Sequence, residues 1–257
     1  MEFLMRSDSK LSEAQWKEID EKVVAAARTV LTGRKFLSLY GPLGAGVPAA
    51  EIHKDGKVQL AMLTELSSDF TLSWRELETA ERLNVPVSYS AAVSAAVDTA
   101  LKEDQLIFLG DEAQGIKGLV GSAGKTLEMK DWDKEEFAFS AVSAGLQYML
   151  ENRAYGSKTL VVSPDVFAAL QRIQPGTGTL ESKRISALIE GSIYQSPVLP
   201  AKTALLAASD EQNMDLAIGQ DLVTAYLGSS DMNHDFRVFE TVLLRVKNPN
   251  AVVVFRG

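Results

Sequence analysis

The chain has 257 residues, 46% of them hydrophobic and 23% charged, enough to bury a sizeable core in one large domain or two smaller ones. Its formal net charge of −8 argues against a dedicated nucleic-acid binder, which needs a basic face, although it leaves a local basic patch open. The lack of cysteine excludes disulfides, a thiolate nucleophile and a cysteine metal site, and the two histidines, His53 and His234, stand too far apart in sequence to suggest a His-rich metal centre. In chain order, Ser12 is a helix N-cap with Gln15 three residues on, the spacing of a capping box. Leu11 and Trp16 take the two positions of a hydrophobic staple. Trp16, Ile19, Val23, Ala27 and Val30 recur at three- and four-residue steps and share one helix face, and Gly33 suits a left-handed C-cap. An extended segment, 34–40, follows and ends at Gly41-Pro42.

Gly44, Gly46 and Pro48 break up the next stretch, but no Gly-Lys-Ser/Thr follows, so it is no phosphate loop. Residues 51–63 read as a two-stranded hairpin around Asp55-Gly56, with little local core of its own. Phe70 and Leu72 alternate with polar residues as in a half-buried strand. Ser73 and Glu76 form a second capping box, opening a helix through Leu83 that Asn84 ends and Pro86 keeps from continuing. A helix over 91–101 carries Val93, Val97 and Leu101 in register, and 106–109 reads as a short buried strand. The glycines at 110, 115, 118, 121 and 124 lack the spacing of a dinucleotide fingerprint.

Asp133 and Glu136 resemble a third capping box, starting a helix to about Glu151 with Phe137, Ala141, Ala144 and Tyr148 on one face. Leu160 to Val162 is a buried strand, and Ser163-Pro164 opens a helix to about Ile173, with proline at its first position. Another helix, 180–189, is stopped by Gly191, and strands follow at 204–208 and 216–218. The block 137–218 thus alternates helix and strand, as in a compact mixed α/β domain. Residues 228–235 read as a polar loop, 236–246 as a long strand, and 251–255 as a continuous apolar strand after Asn248-Pro249-Asn250. The last two strands are expected to lie beside 34–40. No repeat, linker or low-complexity run divides the chain.

No catalytic centre is marked. Asp111 with Glu112, Asp131 with Asp133, and Glu135 with Glu136 are neighbours on polar segments and read as solvated charge. There is no Gly-x-Ser-x-Gly elbow to expose a nucleophile. The chain opens without a basic region and apolar run, and no apolar stretch approaches the roughly 20 residues of a membrane span, so a soluble, cytoplasmic protein is expected.

A set of short segments, in order along nearly the whole chain, resembles an encapsulin. They are Met1-Glu2-Phe3-Leu4, Gln15 to Asp20, Gly33 to Phe36 with Gly41-Pro42, Phe70 to Leu72, Glu81-Arg82, Ile107-Phe108 with Gly110, Gly115 to Leu119, Gly219 to Leu222, Glu240-Thr241 and Asn248-Pro249. The resemblance implies an α+β, phage-capsid-like fold with a discontinuous peripheral domain (1–42, 70–131 and 222–257), an extended loop (43–69) reaching onto neighbouring subunits, and an axial domain (132–221). It implies a structural shell protein, not an enzyme, that self-assembles into a closed icosahedral nanocompartment of about 60 copies and encloses a cargo enzyme such as a ferritin-like protein or peroxidase. Cargo would be captured through a C-terminal targeting peptide, with no nucleic-acid or membrane partner.

The expected peptide groove comprises Ala27, Val30, Leu31, Arg34, Leu37, Leu39 and Leu243: apolar anchors with one arginine to pair with the peptide. The expected pore loop is Gln174, Pro175, Gly176, Thr177, Gly178 and Thr179, small and neutral, at the five-fold axis. No metal or other cofactor is expected. Some family members hold a flavin against a tryptophan near this helix, but the match from Phe70 to Arg82 puts Arg75 there and Trp74 one place earlier, turned by about 100°. Trp74 therefore reads as packing or interface. The alternatives are a phage major capsid protein, disfavoured by the early helix signals and the negative charge, and a small soluble hydrolase.

Overall fold

The computed structural model describes residues 2–54 and 56–257. Helix α1 spans Glu13–Val30, and its capping box forms: the Gln15 amide donates to Ser12 Oγ at 3.3 Å and the Ser12 amide to Gln15 Oε1 at 2.9 Å. Trp16, Ile19, Val23 and Ala27 are its buried residues, as the period requires, with Val30 half-buried. Gly33 is not a left-handed cap. It opens a 3-10 turn, Gly33–Lys35, where an added Cβ would lie 2.5 Å from Ile107 Cδ1 and that side-chain tip would have to shift. The expected extended segment shrinks to strand β1, Leu39–Tyr40.

Strands β2, Ala49–Lys54, and β3, Lys57–Met62, form the hairpin, with Lys54 opposite Lys57. That register leaves a two-residue turn; Asp55 lies outside the described residues, and Gly56 has the positive φ of 70° that such a turn demands. Strand β4, Thr64–Leu72, is longer than the sequence suggests. Helix α2, Trp74–Leu83, ends at a left-handed Asn84, but its Ser73 cap accepts from the Arg75 amide, not from Glu76. Helix α3, Ser90–Phe108, absorbs the strand expected at 106–109. A four-residue apolar run has no period of its own, and here Leu106 to Phe108 extend the buried stripe of the helix before it, with Leu109 as its C-cap. That stripe is Ala92, Ala95, Ala96, Thr99 and Ala100, while Val93, Val97 and Leu101 are half-buried. The small side chains let α3 pack closely against both α1 and β4.

Short strands β5, Gly110–Asp111, and β6, Ile116–Lys117, close a tight hairpin, and β7, Lys125–Glu128, follows. Helix α4, Phe137–Glu151, starts without a side-chain cap, and its buried face is Ala138, Val142, Gly145 and Met149, one residue on from the expected face. Then come β8, Lys158–Val162; α5, Pro164–Ala169; α6, Glu181–Ile189; β9, Ser192–Gln195; β10, Thr203–Ala208; and β11, Met214–Ile218. Helix α5 is shorter than expected, and α6 stops at a left-handed Glu190, one residue before Gly191. The polar loop expected at 228–235 is instead a β-hairpin of β12, Val223–Ser230, and β13, Asn233–Val246. Strand β14, Val252–Arg256, completes the chain.

Two sheets organise these elements. The first runs β1-β11-β13-β12, with β4 also paired to β13; the second runs β7-β14-β10-β8-β9. β14 therefore does not lie beside 34–40, as expected. It pairs with β10 and β7, while β11 leaves the central block to join β1 and β13. The physical reason is burial on both faces. Residues 252–255 and all of β10 are buried, which suits interior strands of a covered sheet and not a half-solvated one. Phe255, Leu205, Leu206 and Val253 anchor the larger core, and Trp16, Phe70 and Phe236 anchor a second core between α1 and the first sheet. Among the described helices, none is long and apolar enough to cross a membrane.

Candidate functional site

The seven residues expected to form one peptide groove fall into separate groups. Ala27 and Leu31 are buried in a small cluster with Ala100, against which half-buried Val30 packs. Leu37 is buried in the main core, and Leu243 is buried with Ala50 and Ala217 under the base of the β2–β3 hairpin. Leu39, on the edge strand β1, is 51% exposed. Arg34 joins none of these apolar clusters.

Arg34 instead sits in a buried ionic knot. Its Nη2 donates to Glu103 Oε2 and Glu240 Oε2, each at 2.6 Å; its Nε donates to Glu103 Oε1 at 2.9 Å, and its Nη1 to Asp221 Oδ1 at 2.7 Å. Every guanidinium nitrogen thus makes a bond within the chain, and of its five N–H donors one, on Nη1, has no partner among the described residues. The Arg34 side chain is 15% exposed, and those of Glu103 and Glu240 are 0% and 1%. Burial works against the Arg34 charge, but the bonds and charges of Glu103 and Glu240 outweigh it and raise its pKa. Burial, and then the charge of Glu103, push the Glu240 carboxyl well up despite Arg34. Next to this knot, Asp104 accepts from the amides of Thr32 and Gly33 at 2.9 Å, and burial outweighs those bonds to raise its carboxyl to about 6. The knot therefore ties the turn after α1 to α3 and β13.

Glu103, Asp104 and Glu240 do not stand out in the sequence as partners for Arg34. A signal existed: Glu103 continues the Ala96-Thr99-Ala100 stripe of α3, and Glu240 falls between Val238 and Val242 on an inward face of β13. A second missed cluster braces the hairpin. Arg245 binds Asp215 through two bonds of 2.6 and 2.7 Å, donates to the Glu51 carbonyl at 2.7 Å, and lies 4.1 Å over the Tyr40 ring.

In the expected pore loop, Gln174 is buried, and its Nε2 donates to Glu136 Oε1 at 2.8 Å. It is an anchor for the loop, not a lining residue. Residues 175–179 are exposed, with Gly176 and Gly178 at φ of 83° and 67°. Arg184 adds a second tie by donating to Glu136 Oε2 and Glu181 Oε2, both at 2.9 Å.

The hairpin carries a run of exposed apolar side chains. Val58, Leu60 and Met62 alternate along β3 and so share one face, at 56%, 75% and 66% exposure. Its opposite face seats Ala50 and Ala61 beside Leu243. The hairpin thus carries an uncovered apolar stripe on the isolated chain.

This fold is that of tailed-phage capsids and related shells. The chain superposes on the virus-like particle protein of Pyrococcus furiosus with a TM-score of 0.79 at 19% identity, covering 94% of this chain and 99% of that one. It superposes on the capsid protein of Myoviridae phage XM1 with a TM-score of 0.67 at 15% identity, covering 88% and 92%. The particular family follows from sequence. Residues 1–243 match the Linocin_M18 family model, an encapsulating protein for peroxidase. The chain is 36% identical to the type 1 encapsulin shell protein EncA of Myxococcus xanthus, across 100% of this chain and 97% of that protein. It is also 32% identical to a diheme-cytochrome-encapsulin shell fusion protein of Kuenenia stuttgartiensis, across 96% of this chain and 74% of the relative. The chain belongs to the encapsulin family of shell proteins.

Proposed function

We propose that this chain assembles into a closed icosahedral nanocompartment of about 60 copies, the smallest shell class, that encloses a cargo enzyme in the cytoplasm. The observation that carries the reading is the β2–β3 hairpin, an arm with an apolar face turned to solvent in a chain of the encapsulin family. Exposed apolar stripes of this kind are covered by assembly, and closed symmetry leaves none of them open. The net charge of −8 supports a protein cargo over nucleic acid. The family description, an encapsulating protein for peroxidase, supports an enzymatic cargo. We divide the subunit into a peripheral domain built on the first sheet with α1 to α3, the hairpin arm, and an axial domain built on the second sheet with α4 to α6. The exposed loop 175–179 lines the five-fold opening in this reading and passes small ions with little charge selection.

Cargo docks by a C-terminal targeting peptide on the lumenal face beside α1. The edge strand β1 supports this, because an extended peptide can add to a sheet edge while an exposed apolar residue, here Leu39, anchors it. Of the other residues expected in the groove, Ala27, Val30 and Leu31 pack together at the end of α1, while Leu37 and Leu243 lie in two other cores. Two measurements test the proposal. Electron microscopy of the chain expressed alone should show regular empty shells; gel filtration at monomer or dimer size sinks the assembly reading. Co-expression of Leu39→Asp with the native cargo should give intact particles with the cargo band lost, and normal loading moves the docking site elsewhere.

A further inference from the structure

Four carboxyl groups gather around Arg34 and the turn that carries it: Glu103 and Asp104 from α3, Glu240 from β13, and Asp221 from the segment before β12. The first three are at most 1% exposed, and only Asp221 stands at the surface. Among the described residues no other cation enters the cluster. Lys102 of α3 turns away to the Ser67 carbonyl on β4, and Lys35 lies over the Tyr194 ring on β9. Arg237 and Arg245 of β13 pair with Asp69 and Asp215, Glu65 of β4 lies against Arg237, and Arg28 at the end of α1 is exposed.

With all of these acids ionised, three buried negative charges would face one positive charge. Such an excess is costly in an interior of low dielectric, and carboxyl groups that share one site do not all ionise: one keeps a proton.

The geometry shows which one. Glu103 turns both oxygens to the guanidinium, Oε1 accepting from Nε and Oε2 from Nη2, so it is the carboxylate that balances Arg34. Both Asp104 oxygens accept from the Thr32 amide, and Oδ1 accepts from the Gly33 amide as well. Glu240 is the least served: its Oε2 accepts from Arg34 Nη2, and its buried Oε1 finds no donor among the described residues. It lies within hydrogen-bonding reach of Glu103, but two carboxylates can only accept, so the pair bonds only when one of them is an acid. Burial and the charge of Glu103 favour the neutral form of Glu240.

We propose that Glu240 is a carboxylic acid at neutral pH, donating its proton to Glu103, and that this proton locks the turn between α1 and β1 onto α3 and β13. Opening the turn exposes Glu240 to water, where its carboxyl ionises, so each opening releases a proton. The opening constant therefore rises roughly tenfold per pH unit until Glu240 ionises in the closed chain as well. Beyond that point the like charges of Glu103 and Glu240 repel across Arg34, and the lock contributes nothing further. The lock belongs to the folded subunit and acts whether or not subunits assemble.

Infrared spectroscopy of the full chain tests the proton directly. At about pH 8 Asp104, with its value of about 6, is ionised, so a carbonyl stretch from a protonated carboxyl should belong to Glu240. The band should vanish in Glu240→Gln, survive in Asp104→Asn, and shift in the parent chain labelled with ¹³C-carboxyl glutamate. The labelled parent needs no substitution, so the test stands even where a variant does not fold. Hydrogen exchange of amides 31–38, corrected for the intrinsic rate, tests the lock. Above about pH 6, where the Asp104 contribution has levelled off, opening in the parent should still rise roughly tenfold per pH unit, while Glu240→Gln, which mimics the acid, should show no slope. A missing band, a band that glutamate labelling does not move, or equal slopes in parent and Glu240→Gln overturns the proposal.

Discussion

At the residue scale, Arg34 shows how a side chain suited to recognition becomes structural. Two buried carboxylates on α3 and β13 converge on it, so its loss leaves them without a counter-charge. Arg34→Met should destabilise the subunit by about 3 kcal/mol, read as a fall in the urea midpoint at unchanged slope. Asp104 gives a pH prediction with a definite sign. Its folded carboxyl is raised from 3.8 to about 6, so the folded chain holds that proton more tightly than the unfolded chain. The stabilisation is full below the unfolded value and is lost as pH rises through the folded one. Asp104→Asn should therefore gain stability relative to the parent, on the order of 2–3 kcal/mol, between about pH 4 and 6, and the difference should level off above that. Glu240 is displaced in the same direction by burial and by Glu103, and its contribution also fades with rising pH. Urea midpoints of both chains measured across this window check the sign.

At the scale of elements, the hairpin and its base are separable. Ala50 and Ala61 face each other in register and pack beside Leu243, whereas the strands beyond them reach into solvent. Replacing residues 51–60 with Asn-Gly keeps that pair and closes it with a two-residue turn. The shortened chain should stay folded by circular dichroism but give no closed particles by electron microscopy. Normal shells from it would remove the arm from assembly. The arm's direction is set at its base, where Arg245 joins Asp215 on β11 to the Glu51 carbonyl of the hairpin. Helix α3 makes the complementary point. Its alanine stripe tolerates close approach and so carries the acidic pair at 103 and 104 into contact with the turn after α1.

At the scale of the whole molecule, the two sheets divide the labour. The second, with every residue of β10 buried, is a rigid platform for the exposed loop 175–179, which Gln174, Arg184 and Glu136 hold at its base. A neutral loop of this kind at an opening discriminates little by charge. Thr177→Asp should leave particles intact and slow the entry of an anionic probe relative to a cationic one of the same size, because repeated carboxylates around one axis focus a negative potential. Equal entry rates of the two probes in stopped-flow quenching of a lumenal dye would take the loop away from the pore.

The local elements were legible wherever a periodic stripe and its punctuation coincided. Ser12 with Gln15, the α1 stripe, the positive φ at Gly56 and the Asn84 stop could all be read along the chain, because caps and turns satisfy backbone groups within a few residues. The resemblance to encapsulins, spread over the same residues, carried the capsid fold and the shell family. The partners of each element were not legible. An apolar run such as 252–255 announces burial but not the sheet that buries it, and Leu106 to Phe108 had no period of its own to mark it as helix. The residues expected in the peptide groove were separated for the same reason: Ala27 with Leu31, Leu37, and Leu243 were drawn into three cores by contacts made far along the chain. Arg34 looked free because Glu103 and Glu240, 69 and 206 positions away, meet it only once α3 and β13 have packed. Sequence determined which residues must be buried, capped or turned; the long-range packing of the two sheets alone decided which charges were neutralised inside and which apolar stripe was left exposed.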